Sequence, residues 1–330
     1  LTRELPSPVM ITIHPPKLDR LSHPLFSSQG VCVAALRLDQ IHPTIHGNKW
    51  FKLKRNLDDF RARGKHRVLS FGGAYSNHLY ALAAAGKAFG FETIGVVRGE
   101  IVEPLNPILA FAAAQGMQLV SMSREEYRRK ESPEVISRLL ARYGDVEIIP
   151  EGGSNLLAVE GCAEIVQYLD WSVFDETYDS VGAEPATRVV ALSCGTATTL
   201  AGVVHGLQGS DETNRQTPQV CGVAALRAEG YLRSEAAKWL NLVSAESCST
   251  GAKKDAAVRW HVDERYHFGG YARRTAELDA FVSEFEAVTR IPLEPVYTGK
   301  LFYALCDQIA KGVYAPGCQI IALHTGGIIR

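Results

Sequence analysis

The sequence predicts an α/β protein of two lobes, each an open, mainly parallel sheet with helices on both faces. Three observations predict it. Short apolar runs alternate with helical stretches of roughly 10–15 residues, the rhythm of βαβ units. Small-residue turns follow four of those runs, at the strand ends where parallel sheets bind ligands. The chain of 330 residues is long enough for two such lobes.

The elements follow in order. A helix begins near Lys49, behind Gly47-Asn48. Residues 68–71 read as a strand, and 78–89 as an Ala-rich helix stopped by Gly90. Residues 92–97 form a strand, and 104–115 a helix that opens on proline and closes at Gly116. Then come strand 117–121, helix 133–143, strand 146–149 and helix 154–168. After these come strand 188–192, helix 198–207, strand 219–224, helices 275–289 and 299–311, and a last strand at 319–323. The polar stretches 170–187 and 209–218 read as surface insertions.

Composition excludes several classes. A net charge of −1 offers no basic stripe for nucleic acid. The apolar runs are of strand length, too short to cross a membrane. Seven cysteines are scattered with no Cys-x-x-Cys pair, which points to reduced thiols and a cytoplasmic protein, with no metal site expected. His42 and His46 are four apart, but Pro43 lies between them and denies them a shared helical face. The opening residues, Leu1-Thr2-Arg3-Glu4-Leu5-Pro6, hold no apolar stretch of a secretory signal.

Two stretches carry chemistry. Gly47-Asn48-Lys49-Trp50-Phe51-Lys52-Leu53-Lys54 sets a lysine at a glycine-opened helix start. Such a lysine can hold an aldehyde cofactor as a Schiff base. The competing reading is a solvated basic helix. Ser193-Cys194-Gly195-Thr196-Ala197-Thr198-Thr199 follows a strand and opens a helix. Backbone N–H groups, Thr hydroxyls and the helix dipole there favour a phosphate. The segment lacks the Gly-Lys-Ser/Thr ending of a nucleotide loop, and no dinucleotide fingerprint is suitably placed elsewhere. A phosphate without a nucleotide motif, beside a candidate Schiff-base lysine, points to pyridoxal 5'-phosphate (PLP).

Six motifs then occur in order: Gly47-Asn48-Lys49-x-x-Lys52-Leu53, Gly72-Gly73-x-x-Ser76-Asn77-His78, Gly152-Gly153-Ser154-Asn155, the Thr-rich loop at 195–199, Pro295-Val296-Tyr297-Thr298-Gly299-Lys300 and His324-Thr325-Gly326-Gly327. Together they resemble the 1-aminocyclopropane-1-carboxylate (ACC) deaminase/D-cysteine desulfhydrase family of tryptophan-synthase-β-like PLP enzymes. The resemblance runs from about residue 23 to 327.

The resemblance implies roles for matching positions. Lys49 would hold the cofactor and move the substrate's α-proton. Asn77 would bind the cofactor's phenolate oxygen. Ser76 would contact the substrate carboxylate or assist proton transfer, with the backbone at Asn77 and His78 helping. Gly195, Thr196, Ala197, Thr198 and Thr199 would hold the phosphate. Tyr297 would stack on the pyridine ring and act on the substrate as a catalytic residue, and Thr298 would face the ring nitrogen. Lys52 would bias Lys49 electrostatically. Tyr271 corresponds to a second active-site tyrosine, although Phe268-Gly269-Gly270-Tyr271-Ala272 departs from the usual pattern. The expected small lobe covers 51–150, and the large lobe joins 1–50 to 151–330. PLP would lie in the cleft between them with Lys49 at the junction, and the resemblance implies a homodimer.

Thr298 discriminates between reactions. In ACC deaminase, the resemblance implies, a carboxylate stands there and keeps the pyridine nitrogen protonated. A threonine hydroxyl favours a neutral nitrogen and a weaker electron sink, which suffices when thiolate leaves from Cβ. The expected reaction is β-elimination on a small D-amino acid, D-cysteine giving pyruvate, sulfide and ammonia. ACC deamination, another PLP-dependent lyase reaction and amino-acid racemisation stay open. So does a non-catalytic protein that binds a small metabolite.

Overall fold

A computed structural model describes residues 11–45, 47–177, 187–209, 217–249 and 258–327. The chain divides into two compact units. The first takes in the described part of Leu1–His14 with His42–Ala158, and the second Pro15–Ile41 with the described part of Val159–Arg330. Lys49 thus lies inside the first unit, and residues 151–158 belong with it, not with the larger unit as the expected boundary had them. The 170–187 and 209–218 insertions fall mostly outside the described residues. Leu1 to Pro6, His46 and the Cys248 side chain fall outside them entirely.

Regular structure begins in the second unit, with β1 (Lys17–Arg20), α1 (Pro24–Ser28) and β2 (Cys32–Arg37). β1 and β2 pair antiparallel, Lys17 opposite Arg37. Sequence reading placed no elements here.

The first unit follows as α2 (Asn48–Ala62), β3 (Arg67–Gly72), α3 (Asn77–Phe89), β4 (Glu92–Arg98), α4 (Pro107–Ala114), β5 (Gln118–Met122), α5 (Arg124–Arg128), α6 (Pro133–Tyr143) and β6 (Glu147–Ile149). Its sheet runs β5-β4-β3-β6, every pair parallel. Successive strand residues face opposite sides. Val68 and Ile149 pack with Leu57 and Phe60 of α2, Leu79 and Leu82 of α3, and Leu109 of α4. Leu69, Phe71, Ile94 and Val96 turn the other way, onto Tyr127 of α5 and Val135 and Leu139 of α6. Each such side chain, fully buried, stabilises the fold by roughly 1.5–3 kcal/mol. The helix starts follow local chemistry. Ser132 accepts from Val135 N, with Pro133 at the first position of α6. Asn106 caps α4 in the same way, so that helix opens at Pro107 and not at Pro104 as expected.

The chain passes to the second unit within α7 (Leu156–Ala163), which tightens into a 3₁₀ stretch over Glu164–Tyr168. The single helix expected over 154–168 is therefore shorter. Where it tightens, a side-chain carbon on Gly206 would lie 2.4 Å from the Ala163 carbonyl oxygen, so the neighbouring helix presses directly on this backbone. Then come β7 (Arg188–Cys194), α8 (Thr198–Gln208), β8 (Gln219–Ala224), α9 (Tyr231–Ser249), β9 (Trp260–Asp263), α10 (Ala276–Thr289), α11 (Thr298–Ala310) and β10 (Gln319–His324). The sheet order is β1-β2-β10-β7-β8-β9, parallel except for β1. β10 is buried along its length, as a central parallel strand covered on both faces must be. Val33, Val189, Val223 and Ile320 of four strands meet Phe285, Leu301, Phe302 and Leu305 in one core.

Among the described residues, no helix is long and apolar enough to cross a membrane. A surface pocket of about 350 Å³, lined by residues including Arg67, Glu92 and Gln118, lies where β3, β4 and β5 begin. The glycine turns lie at the opposite ends of the strands.

Candidate active site

In the first unit the candidate lysine sits in the first turn of α2. Gly47 precedes the helix at φ +73°, and no side chain caps it there. Lys49 is half-buried. Lys52 lies one turn on and is buried, its Nζ donating to the Gly152 carbonyl at 3.1 Å. Asn56, a further turn along, exchanges hydrogen bonds with Asn155: its Nδ2 donates at 3.2 Å, and Asn155 Nδ2 donates back at 2.6 Å. The Gly152-Gly153-Ser154-Asn155 motif is thereby stitched to α2. Gly152 and Gly153 have φ of +70° and +72°. A side-chain carbon on Gly153 would come within 3.0 Å of His78 Cε1. That pair of glycines is explained by backbone shape and close approach.

The β3–α3 turn places the next three candidates. Ser76 caps α3, its Oγ accepting from Leu79 N at 3.2 Å. Gly72 makes room for it, since a side-chain carbon there would lie 2.5 Å from Ser76 Oγ. Asn77 opens the helix and is half-buried. His78 is buried at 2% exposure, with Nε2 2.8 Å from Ser70 Oγ. Ser70 Oγ donates to the Ile149 carbonyl at 2.7 Å, so the imidazole must donate from Nε2. Nδ1 then carries the lone pair, and it is buried with no hydrogen-bond partner. Burial holds the His78 pKa well below 6.5, and the charges of Lys49 and then Lys52 lower it further. The sequence leaves the His78 side chain as either a substrate-side contact or a helix-start histidine, and the structure shows it buried at the start of α3.

The second unit holds the other candidates. β7 ends at Cys194, and Gly195-Thr196-Ala197 turns the chain into α8. Ala197 sits at φ +58° and offers no side-chain cap. No side chain caps the start of α8, where the Thr198 N–H donates to the Thr196 carbonyl at 2.8 Å, and a helix start without a side-chain cap can take an anion. The Thr196 and Thr198 hydroxyls lie 3.3 Å apart beside it. Tyr297 lies against the same turn: a side-chain carbon on Gly195 would be 3.0 Å from its Cε1. Its hydroxyl lies 3.3 Å from that of Tyr271, which is 48% exposed.

Thr298 is fully buried at the start of α11. Its Oγ1 accepts from Glu294 N at 2.9 Å. The Glu294 carboxylate accepts from the N–H groups of Val296, Tyr297 and Thr298 at 2.6–2.7 Å. Burial raises its pKa, and those N–H groups only partly offset the rise. Behind this turn, His324 Nε2 donates to the Pro292 carbonyl at 2.7 Å, and Nδ1 lies 3.1 Å from Asp39 Oδ1. Burial works to raise the Asp39 carboxyl. The hydrogen bonds from His324 and Arg37 outweigh it and leave the pKa well below the usual range.

Lys300 and His324 lie within the quoted motifs and Glu294 directly precedes one, yet sequence reading gave them no role. Their signal was weak, because a buried carboxylate or lysine is written with the same letter as a solvated one. Among the described residues, no group of three His, Cys, Asp or Glu could hold a metal ion. His42 Nδ1 accepts from Thr44 N and Ile45 N and closes a local turn.

The residues present fit PLP. The first unit holds a half-buried lysine at a helix start, and the second holds a helix start with no side-chain cap beside the Thr196 and Thr198 hydroxyls and an aromatic ring against that turn; each is a group such a cofactor needs. The comparisons agree. Residues 21–326 match the family described as pyridoxal-phosphate-dependent enzyme. A D-cysteine desulfhydrase of Klebsiella pneumoniae is 27% identical over 85% of this chain and 82% of its own. A mitochondrial bifunctional D-cysteine desulfhydrase/ACC deaminase of Arabidopsis thaliana is 25% identical over 86% of this chain and 69% of its own. The crystal structure of an ACC deaminase homologue superposes with a TM-score of 0.77 at 26% identity, over 98% of this chain and 93% of that one. The chain belongs to the pyridoxal-phosphate-dependent enzymes, among relatives named ACC deaminase and D-cysteine desulfhydrase.

Proposed function

We propose that this enzyme eliminates a leaving group from Cβ of a small D-amino acid, with D-cysteine giving sulfide, pyruvate and ammonia. The observation that carries the reading is Thr298. Its hydroxyl sits buried at the head of α11, where it accepts from Glu294 N, and the carboxylate next to it, on Glu294, is already engaged by three backbone N–H groups. When bound, PLP supplies the electron sink for breaking the Cα–H bond. A hydroxyl partner for the ring nitrogen weakens that sink, and thiolate leaves readily enough to need no stronger one.

The chain's own residues supply the rest. Lys49 holds the cofactor and takes the proton from Cα. The 195–199 turn takes the phosphate. Asn77 donates to the phenolate oxygen, and the Tyr297 ring supports the pyridine. Ser76, still able to donate its hydroxyl proton while capping α3, meets the substrate carboxylate with the amides of Asn77 and His78. Tyr271 sits beside Tyr297 at the substrate. Cytoplasmic residence and a homodimer belong to the same proposal.

The test is release of sulfide and pyruvate by PLP-loaded protein given D-cysteine, with L-cysteine and ACC alongside. Release from D-cysteine alone is expected. Product from ACC instead would reassign the reaction. Lys49→Ala should lose turnover by at least about 10³-fold together with the visible absorbance of lysine-linked cofactor. Near-normal turnover by that variant would sink the assignment of Lys49.

A further inference from the structure

Lys300 lies in the Tyr297-Thr298-Gly299-Lys300 motif. It is wholly buried on α11. Its Nζ donates to three backbone carbonyls: Ala225 at 2.9 Å, His267 at 2.9 Å and Gly270 at 2.8 Å. An ammonium has three donors, and here each finds one carbonyl. Among the described residues, no carboxylate shares the hydrogen bonds of this ammonium. Burial pulls the Lys300 pKa down to about 8, with Glu294 working the other way. A buried charge that costs this much to desolvate calls for a purpose.

The backbone it holds is strained. Phe268, Gly269, Gly270 and Ala272 have φ of +51°, +90°, +136° and +54°. Two of these residues carry side chains, for which the left-handed region is sterically unfavourable. Left alone, such a loop would relax. It carries Tyr271, whose hydroxyl meets that of Tyr297 at 3.3 Å. The third carbonyl belongs to Ala225, whose own N–H donates to the Cys194 carbonyl at 2.9 Å, where the threonine turn begins. One ammonium thus ties the Tyr271 loop to the helix that carries Thr298 and to the strand end beside the phosphate turn.

We propose that Lys300 is a positioning residue that holds the strained 267–272 loop in register, so that Tyr271 stands against Tyr297 and defines the substrate side of the site. The proposal rests on the reading of Tyr271 and Tyr297 as substrate-site residues. It also explains how a loop of unusual sequence keeps one shape.

The experiment compares PLP-loaded wild type with Lys300→Met, which keeps the stem and removes the donors. Hydrogen exchange at the Gly270 and Arg273 amides, which close turns onto His267 and Gly270, should quicken about 10-fold or more while the cofactor's visible spectrum stays. KM for D-cysteine should rise about 10-fold with kcat within about 3-fold, and Tyr271→Phe should cost little more in that background than it already lost. Unchanged exchange, or an equal cost of Tyr271→Phe in both backgrounds, overturns the proposal. Should Lys300→Met fail to fold, wild type decides: those two amides must be protected about 100-fold or more, and exchange at the unprotected rate overturns it. If D-cysteine is no substrate, the functional reading fails and the exchange result still judges the clamp.

Discussion

At the scale of single residues, the most informative side chain is one that changes character with pH. His78 is buried, donates from Nε2 to Ser70 and feels the charges of Lys49 and Lys52. Its pKa in the folded protein lies below its unfolded value near 6.5. The unfolded chain therefore takes up the proton first as pH falls. The stability tied to this group is complete above about pH 6.5 and is lost progressively below it. The melting temperature should fall from pH 7 to pH 5, and fall less steeply in His78→Gln. Equal slopes in the two proteins would remove His78 from the account. Lys49 was legible in the sequence because Gly-Asn-Lys at a helix start is a chemical pattern. His78 was legible as a site-motif residue but not as a buried one, since its partner Ser70 sits on the strand before it and no spacing rule links them.

Elements divide in the same way. α3 could be read with its start and stop, because Ser76 and Gly90 are ordinary capping residues. α9 was missed. Leu232, Ala236, Leu240 and Val243 do recur at helical spacing and are buried, but the exposed apolar Tyr231 and Leu242 lie beside them and blur the stripe in the sequence. α8 is the element with a readable vacancy of function: it begins at Ala197 without a side-chain cap. An anion should supply what the sequence withholds. Inorganic phosphate at ten times its Kd should stabilise cofactor-free protein by about 1.4 kcal/mol, seen as a raised melting temperature. Thr199→Val should weaken the effect. No shift with phosphate, in a protein that still binds PLP, would place the phosphate elsewhere.

For the whole molecule, the alternation of strand and helix was enough to foresee two mainly parallel sheets. Boundaries were harder. The expected break at residue 51 cut through α2, because a domain edge depends on which contacts a segment makes and not on its composition. Residues 151–158 were misassigned for the same reason: Asn155 bonds to Asn56 about a hundred residues earlier in the chain. The N-terminal hairpin of β1 and β2 went unseen because short strands carry little periodicity.

That hairpin has a consequence for biosynthesis. β2 is flanked by β1 and by β10, the last strand among the described residues. On a translating ribosome, β1 and β2 emerge before the first unit and must wait until β10, far beyond it in the chain, can close their sheet. The first unit has no such delay, since most of it is one continuous stretch, His42–Ala158. Nascent chains arrested shortly after the first unit clears the exit tunnel should resist protease there and be cut at β1 and β2, which gain protection only once β10 is out. The exposed hairpin, an apolar edge held open for much of synthesis, is then where a chaperone has reason to bind.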